Sequence, residues 1–186
     1  MEFVEYLQDA WKVVTFDEKT MSNLSKDKNA LIYGLAIALA VSLLSAVVQL
    51  FMDVTPLEKG LNFIILPVTT ILGTLIIYGL THLFAKWLGG KADFMPFYKV
   101  LLFPHILMVL NIFPFDVEEI TTFGVIMVLV IIATAIWSLL VDIKITKVIH
   151  QLSIGRAVAA VLISSGIILT LLVGLAVLFI NSVVYV

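Results

Sequence analysis

Cysteine is absent from the chain, which excludes a disulfide framework, thiolate catalysis and cysteine ligation of a metal. Charge is scarce: Asp, Glu, Lys and Arg together make up 13% of 186 residues, against roughly 25% in soluble domains. A G-x-S-x-G elbow, a P-loop and an H-E-x-x-H pair are also missing, so no enzyme class has its usual signature and no catalytic residue is assigned. The three histidines, His82, His105 and His150, have no ligand spacing, so neither a metal nor any other cofactor is expected. Basic residues are few and dispersed, which argues against a nucleic-acid partner. An apolar stretch preceded by a basic segment, as in a cleaved leader, is not found before residue 30, so the first long apolar run is expected to direct its own insertion.

Long uncharged runs are plentiful. Asn29–Met52, Gly60–Ala85, Thr121–Val141 and Ala157–Val186 contain no Asp, Glu, Lys or Arg. Each exceeds the ~20 helical residues needed to cross ~30 Å of hydrocarbon. A fifth run, Val100–Phe115, is shorter and is extended by Phe97 and Tyr98. The expected fold is therefore all-α: a polytopic five-helix membrane bundle with spans near 30–52, 61–88, 97–113, 120–141 and 157–181. The membrane domain would occupy 30–186. Residues 1–29 would form an amphipathic interfacial helix and a polar linker (17–29).

The helix rests on a stripe of Phe3, Leu7, Ala10, Trp11 and Val14, with Glu2, Glu5, Gln8, Asp9 and Lys12 opposite. The stripe suits either a bilayer surface, with Trp11 at headgroup depth, or the protein's own helix ends. Small residues on the first span (Ala36, Ala38, Ala40, Ser42, Ala46) and the Gly166–Thr170–Gly174 series on the last suggest close helix contacts.

With five spans, ten of the eleven basic residues fall on one side. Lys12, Lys19, Lys26 and Lys28 lie in the N-terminal segment; Lys86, Lys91 and Lys99 lie between spans two and three; Lys144, Lys147 and Arg156 lie between spans four and five; Lys59 stands alone. The positive-inside rule then places the N terminus in the cytoplasm, the C terminus outside, and the Asp116, Glu118, Glu119 loop outside.

Inside the spans, polar residues are the functional candidates. Pro104 should kink the third span. Beside it, His105 is either a relay or ligand group or, more commonly, a donor to backbone oxygens freed by the proline. Together with Asn111 they form a candidate polar path, the basis of a rival reading as a small channel or transporter. Asp142, close to Lys144, reads as a surface ion pair. The two basic turns are the second candidate site: Gly89, Gly90 and Lys91 in the first, Gly155 and Arg156 in the second, 65 residues on. In each, glycine can end a helix through positive φ, the cation can meet an anionic headgroup, and the next helix offers free N–H groups.

The segments AKWLGGKADFMPFYKVLLFPHI (85–106) and VIHQLSIGRAVAAVLI (148–163) together resemble the two signatures of the Yip (Ypt-interacting protein) domain family, and the short N-terminal helix is similar to that of its prokaryotic members. The resemblance covers residue 30 to the end. It implies a compact five-helix bundle with a cytoplasmic N terminus, a non-enzymatic role in membrane organisation or trafficking, and contact with membrane lipids, a protein partner or a second copy. Eukaryotic members contact Rab-type GTPases partly through a long N-terminal region bearing a D-L-Y-G-P type motif. Here about 29 residues precede the first span and the motif is missing, so the GTPase partner is not carried over.

Overall fold

The computed structural model describes residues 2–51, 56–112 and 122–184. Its helices are α1 (Phe3–Val14), α2 (Glu18–Lys26), α3 (Ala30–Gln49), α4 (Pro56–Trp87), α5 (Phe94–Leu101), a 3₁₀ stretch (Phe103–Asn111), α6 (Thr122–His150) and α7 (Ile154–Val184). Among the described residues, five segments are long and apolar enough to cross a membrane: α3, α4 from Gly60, α5 with the 3₁₀ stretch, α6, and α7 to Leu178. The protein is a multi-pass integral membrane protein.

The third of these spans is the least apolar and the most buried. The two properties have one cause. It runs among α1, α3, α4 and α6, so protein rather than lipid covers Phe97, Val100, Leu101, Leu102 and Phe103, all fully buried. Helices α4 and α7 pack against each other and leave most of their apolar side chains exposed for lipid. The α-helix of the third span ends at Leu101 and continues as a 3₁₀ stretch with Pro104 near its start. Proline has no N–H to give the α-helical ladder. Gly34 of α3 faces this break: a Cβ there would stand 2.9 Å from Leu102 Cβ and 3.2 Å from the Lys99 carbonyl. Proline is tolerated differently in α4. That helix begins at Pro56, earlier than its apolar run suggested, and passes straight through Pro67.

The segment 17–29, expected to be a linker, contains α2. Asp17 accepts from the N–H groups of Lys19 (2.9 Å) and Thr20 (3.1 Å), an N-cap worth about 1 kcal/mol. Thr20, Met21 and Leu24 then share a buried face. α1 packs one face on the protein. Its buried face is Tyr6, Ala10, Val13 and Val14, rotated from the sequence stripe, and Phe3, Val4 and Trp11 remain exposed. Tyr6 stacks on Tyr33 at 4.0 Å and donates to Asp27 Oδ2 at 2.7 Å. Trp137 Nε1 donates to the Val14 carbonyl at 2.9 Å.

Two further expectations are corrected. Asp142 does not pair with Lys144; the lysine reaches Glu18 of α2 instead, and Asp142 Oδ1 is buried with no partner. On α7, a Cβ on Gly166 or Gly174 would meet nothing within 4 Å, and the Thr170 hydroxyl bonds its own helix. That small-residue series is not a packing seam within the chain. On α3, Ala38, Ser42 and Ala46 are buried as expected, whereas Ala40 is exposed. The acidic residues Asp116, Glu118 and Glu119 lie outside the described residues.

Candidate functional site at the joined basic turns

Three helices ending at the basic end of the bundle finish in the same way. α1, α4 and α6 each place one residue in the left-handed region: Phe16 (φ 70°), Gly89 (φ 94°) and Gln151 (φ 55°). At the ends of α1 and α4 two N–H groups turn back onto the last carbonyls, and at the end of α6 one does. Phe16 bonds Val13 O and Asp17 bonds Lys12 O; Gly89 bonds Lys86 O and Gly90 bonds Ala85 O; Leu152 bonds Lys147 O. This is the Schellman pattern, which satisfies carbonyls that a helix end would otherwise orphan.

The two look-alike turns therefore use glycine differently. Gly89 ends α4, as its positive φ requires. Gly90 is required by space: a Cβ on it would lie 2.6 Å from His150 Nδ1 and 2.7 Å from the Ala85 carbonyl oxygen. Gly155 does neither. It sits in the first turn of α7 with open space around it, and Gln151 makes the turn that was expected of it.

The turns, distant in sequence, meet in space. Lys91 donates its backbone N–H to the His150 carbonyl at 3.1 Å. The Arg156 guanidinium lies over Gly89, 3.4 Å from where a Cβ would be. Lys86 Nζ reaches the Lys91 carbonyl at 3.5 Å. Lys86, Lys91 and Arg156 are all exposed, so three cations share one surface.

Beneath that surface is a contact that the sequence reading missed. His82 Nδ1 lies 3.3 Å from His150 Nε2. His150 is fully buried, edge-on to Phe97 at 4.7 Å, while His82 is half-buried against Phe94. The residues are 68 positions apart on separate helices, so no local spacing could have paired them. Nearby, the Thr81 and Ser164 hydroxyls meet at 2.7 Å in a buried bond joining α4 to α7.

The α1–α2 layer closes the same end. Lys144 and Lys147 approach Glu18, and their charge holds its carboxyl below the usual range. Burial acts against the Asp27 carboxylate, yet bonds from Tyr6 and the Asn29 N–H, with Lys99 nearby, hold it below its ordinary value. Burial and that same bond push the Tyr6 phenol up to about 12.

The other candidate set is dispersed. His105 Nδ1 lies 3.1 Å from the Leu102 carbonyl, and its ring stands edge-on to Tyr78 at 6.2 Å. The Leu102 carbonyl also takes the His105 backbone N–H at 3.3 Å, so it is not an oxygen freed by the proline. Asn111 donates to Met108 Sδ at 3.8 Å, and among the described residues its Oδ1 has no partner. Thr74 and Tyr98 share a buried bond of 3.0 Å. An open apolar hollow of about 270 Å³ between the 3₁₀ stretch and α6 is lined by Leu107, Leu110, Ala133, Thr134 and Trp137. Among the described residues, no three acidic or histidine side chains are grouped to hold a metal ion.

No curated protein and no solved structure matches the chain. The model of one family, the Yip1 domain, matches residues 11–178 and so takes in both basic turns and the His82–His150 contact. The chain belongs to the Yip1 domain family.

Proposed function

We propose that this protein is a non-enzymatic membrane organiser of the trafficking type, oriented with its N terminus and both basic turns in the cytoplasm, whose joined turns bind an anionic lipid headgroup. The observation that carries the reading is the meeting of the turns. Arg156 over Gly89, with Lys86 and Lys91 beside it, gives one exposed patch of three cations on two turns that meet. A polybasic surface at a membrane gains about 1 kcal/mol per cation from an anionic leaflet. The first turn of α7 begins at the same place, so its unbonded N–H groups add to the field an anion would feel.

The test uses purified protein and vesicles of phosphatidylcholine with and without phosphatidic acid. Lys91→Gln and Arg156→Gln together should lower binding of the anionic vesicles roughly 30-fold, the equivalent of two such cations, with binding to neutral vesicles unchanged. Equal binding by the double variant and the native chain would refute the site. For orientation, a cysteine at Glu119, in a chain with none of its own, should label from outside intact cells. Labelling only after permeabilisation would reverse the topology.

A further inference from the structure

The His82–His150 contact has an asymmetry that fixes where its proton lies. His150 Nδ1 is buried, has no hydrogen-bond partner, and abuts Gly90. A bare lone pair there is tolerable, but an N–H pointing into that space would be a buried donor with nothing to receive it, costing about 1–3 kcal/mol. Neutral His150 therefore carries its proton on Nε2 and donates it to His82 Nδ1, which leaves the His82 proton on Nε2.

This arrangement has no room for another proton. Protonating His82 sets its Nδ1–H against the His150 Nε2–H. Relief would require His150 to move its proton to Nδ1, against Gly90, where there is no acceptor. Protonating both rings puts two positive charges at contact distance. The charged groups that act on the pair are Lys86 from α4, which opposes a proton on either ring, and Asp93 at the start of α5, which favours one on His82 alone. Lys91 meets His150 through its backbone N–H, and Arg156 of α7 lies over the adjoining Gly89, so no carboxylate is placed to absorb a charge on His150.

We propose that His82 and His150 are a proton-operated clasp that holds the Gly89–Lys91 turn onto the end of α6 when neutral and releases it on acidification. The Lys91–His150 backbone bond and the seat of Gly90 against the imidazole are the contacts it controls. Release would separate Lys91 from Arg156 and split the three-cation patch. The clasp stands on its own geometry; a consequent loss of headgroup affinity in acid rests on the lipid reading above.

The test places spin labels on Lys91→Cys and Ser153→Cys in the intact chain, in neutral phosphatidylcholine nanodiscs so that no anionic lipid intervenes. The backbone bond of residue 91 is kept. Because each added proton meets the other ring and nearby cations, the range runs from about pH 8 to about pH 4, below that of a free histidine, and over it the label distance should lengthen and return reversibly. His82→Gln, which retains a polar partner for His150 without titrating, should hold the short distance throughout. No lengthening in the doubly labelled parent, or an equal lengthening with His82→Gln, overturns the clasp. A ring-nitrogen NMR spectrum at neutral pH tests it without any change at the pair: His150 should show a protonated Nε2, and a protonated Nδ1 would also overturn it. Anionic-vesicle binding measured across the same pH range is a separate arm. A distance change without an affinity change would leave the clasp standing and remove its link to lipid.

Discussion

Replacing Gly90 with alanine should damage this protein more than any other glycine substitution in the two turns. The added Cβ would sit 2.6 Å from His150 Nδ1, 2.7 Å from the Ala85 carbonyl oxygen and 3.0 Å from its carbon. Ordinary contacts of this kind are ~3.5 Å, so something must move by nearly an ångström. None of the neighbours moves cheaply. Ala85 is fully buried backbone in the last turns of α4, and His150 is fully buried between Phe97 and His82. Relief by shifting residue 90 breaks the Gly90–Ala85 bond of 2.8 Å that closes the helix end. Overpacking costs about 1–3 kcal/mol and the lost bond about 0.5–1.5 kcal/mol, so the loss lies between about 1.5 and 4.5 kcal/mol. Gly89→Ala pays only the left-handed backbone cost of about 1–2 kcal/mol, because its one close neighbour is the free end of Arg156. Gly155→Ala, in open space on a helix, should be neutral or slightly stabilising. Thermal unfolding in detergent, followed by tryptophan fluorescence, should rank the stability losses Gly90 > Gly89 > Gly155. Adding His150→Ala to Gly90→Ala should recover only part of the loss, since the clash with Ala85 persists. A Gly90→Ala protein as stable as the parent would show that the turn does not seat against His150 as described.

Gln151→Gly should stabilise the chain by about 0.5–1 kcal/mol, because it removes a side chain from a left-handed position; the same thermal assay should show a higher Tm. The same change at Phe16 should not help, because its ring packs on Trp137 at 5.1 Å. Tyr6→Phe should cost about 1 kcal/mol at pH 7 by removing the bond to Asp27. The Asp27 carboxyl is held below its ordinary value when folded, so this contribution is complete above the unfolded value of about 3.9 and fades as pH falls through the lower folded one. Parent and Tyr6→Phe stabilities should accordingly converge in acid, and a gap that widens there would contradict the sign. Thr81→Val and Ser164→Ala should each destabilise by about 1 kcal/mol, and the double variant by clearly less than their sum, as a shared buried bond requires.

The features legible in the sequence were those set by the solvent. Lipid demands runs of ~20 apolar residues, so all five spans could be read, and the placement of ten cations assigned both turns to one end. What protein covers was less legible. The third span looked marginal because its neighbours, not lipid, shield it, and the buried face of α1 was misread because Tyr6 turns inward to Tyr33 and Asp27. A polar composition hid α2, although Asp17 three residues before Thr20 is an N-cap spacing and Thr20, Met21 and Leu24 have helical periodicity.

At the basic turns, the sequence supplied the residues but not their reasons. Two Gly-cation pairs invited one explanation, yet Gly89 answers to backbone handedness, Gly90 to a histidine 60 residues away, and Gly155 to neither. Contacts of that length are invisible to local spacing, because nothing near Gly90 in the chain announces His150. The distinction also bears on function. A turn whose glycine served only to end a helix would be indifferent to the state of its neighbours. A turn whose second glycine is seated against an imidazole, and whose cation is tied to the same residue's carbonyl, moves when that imidazole's protonation changes. The position of Lys91 relative to Arg156 is thus set by a pair of rings beneath the turn rather than by the turn itself, and the headgroup site and the clasp are two faces of one joint.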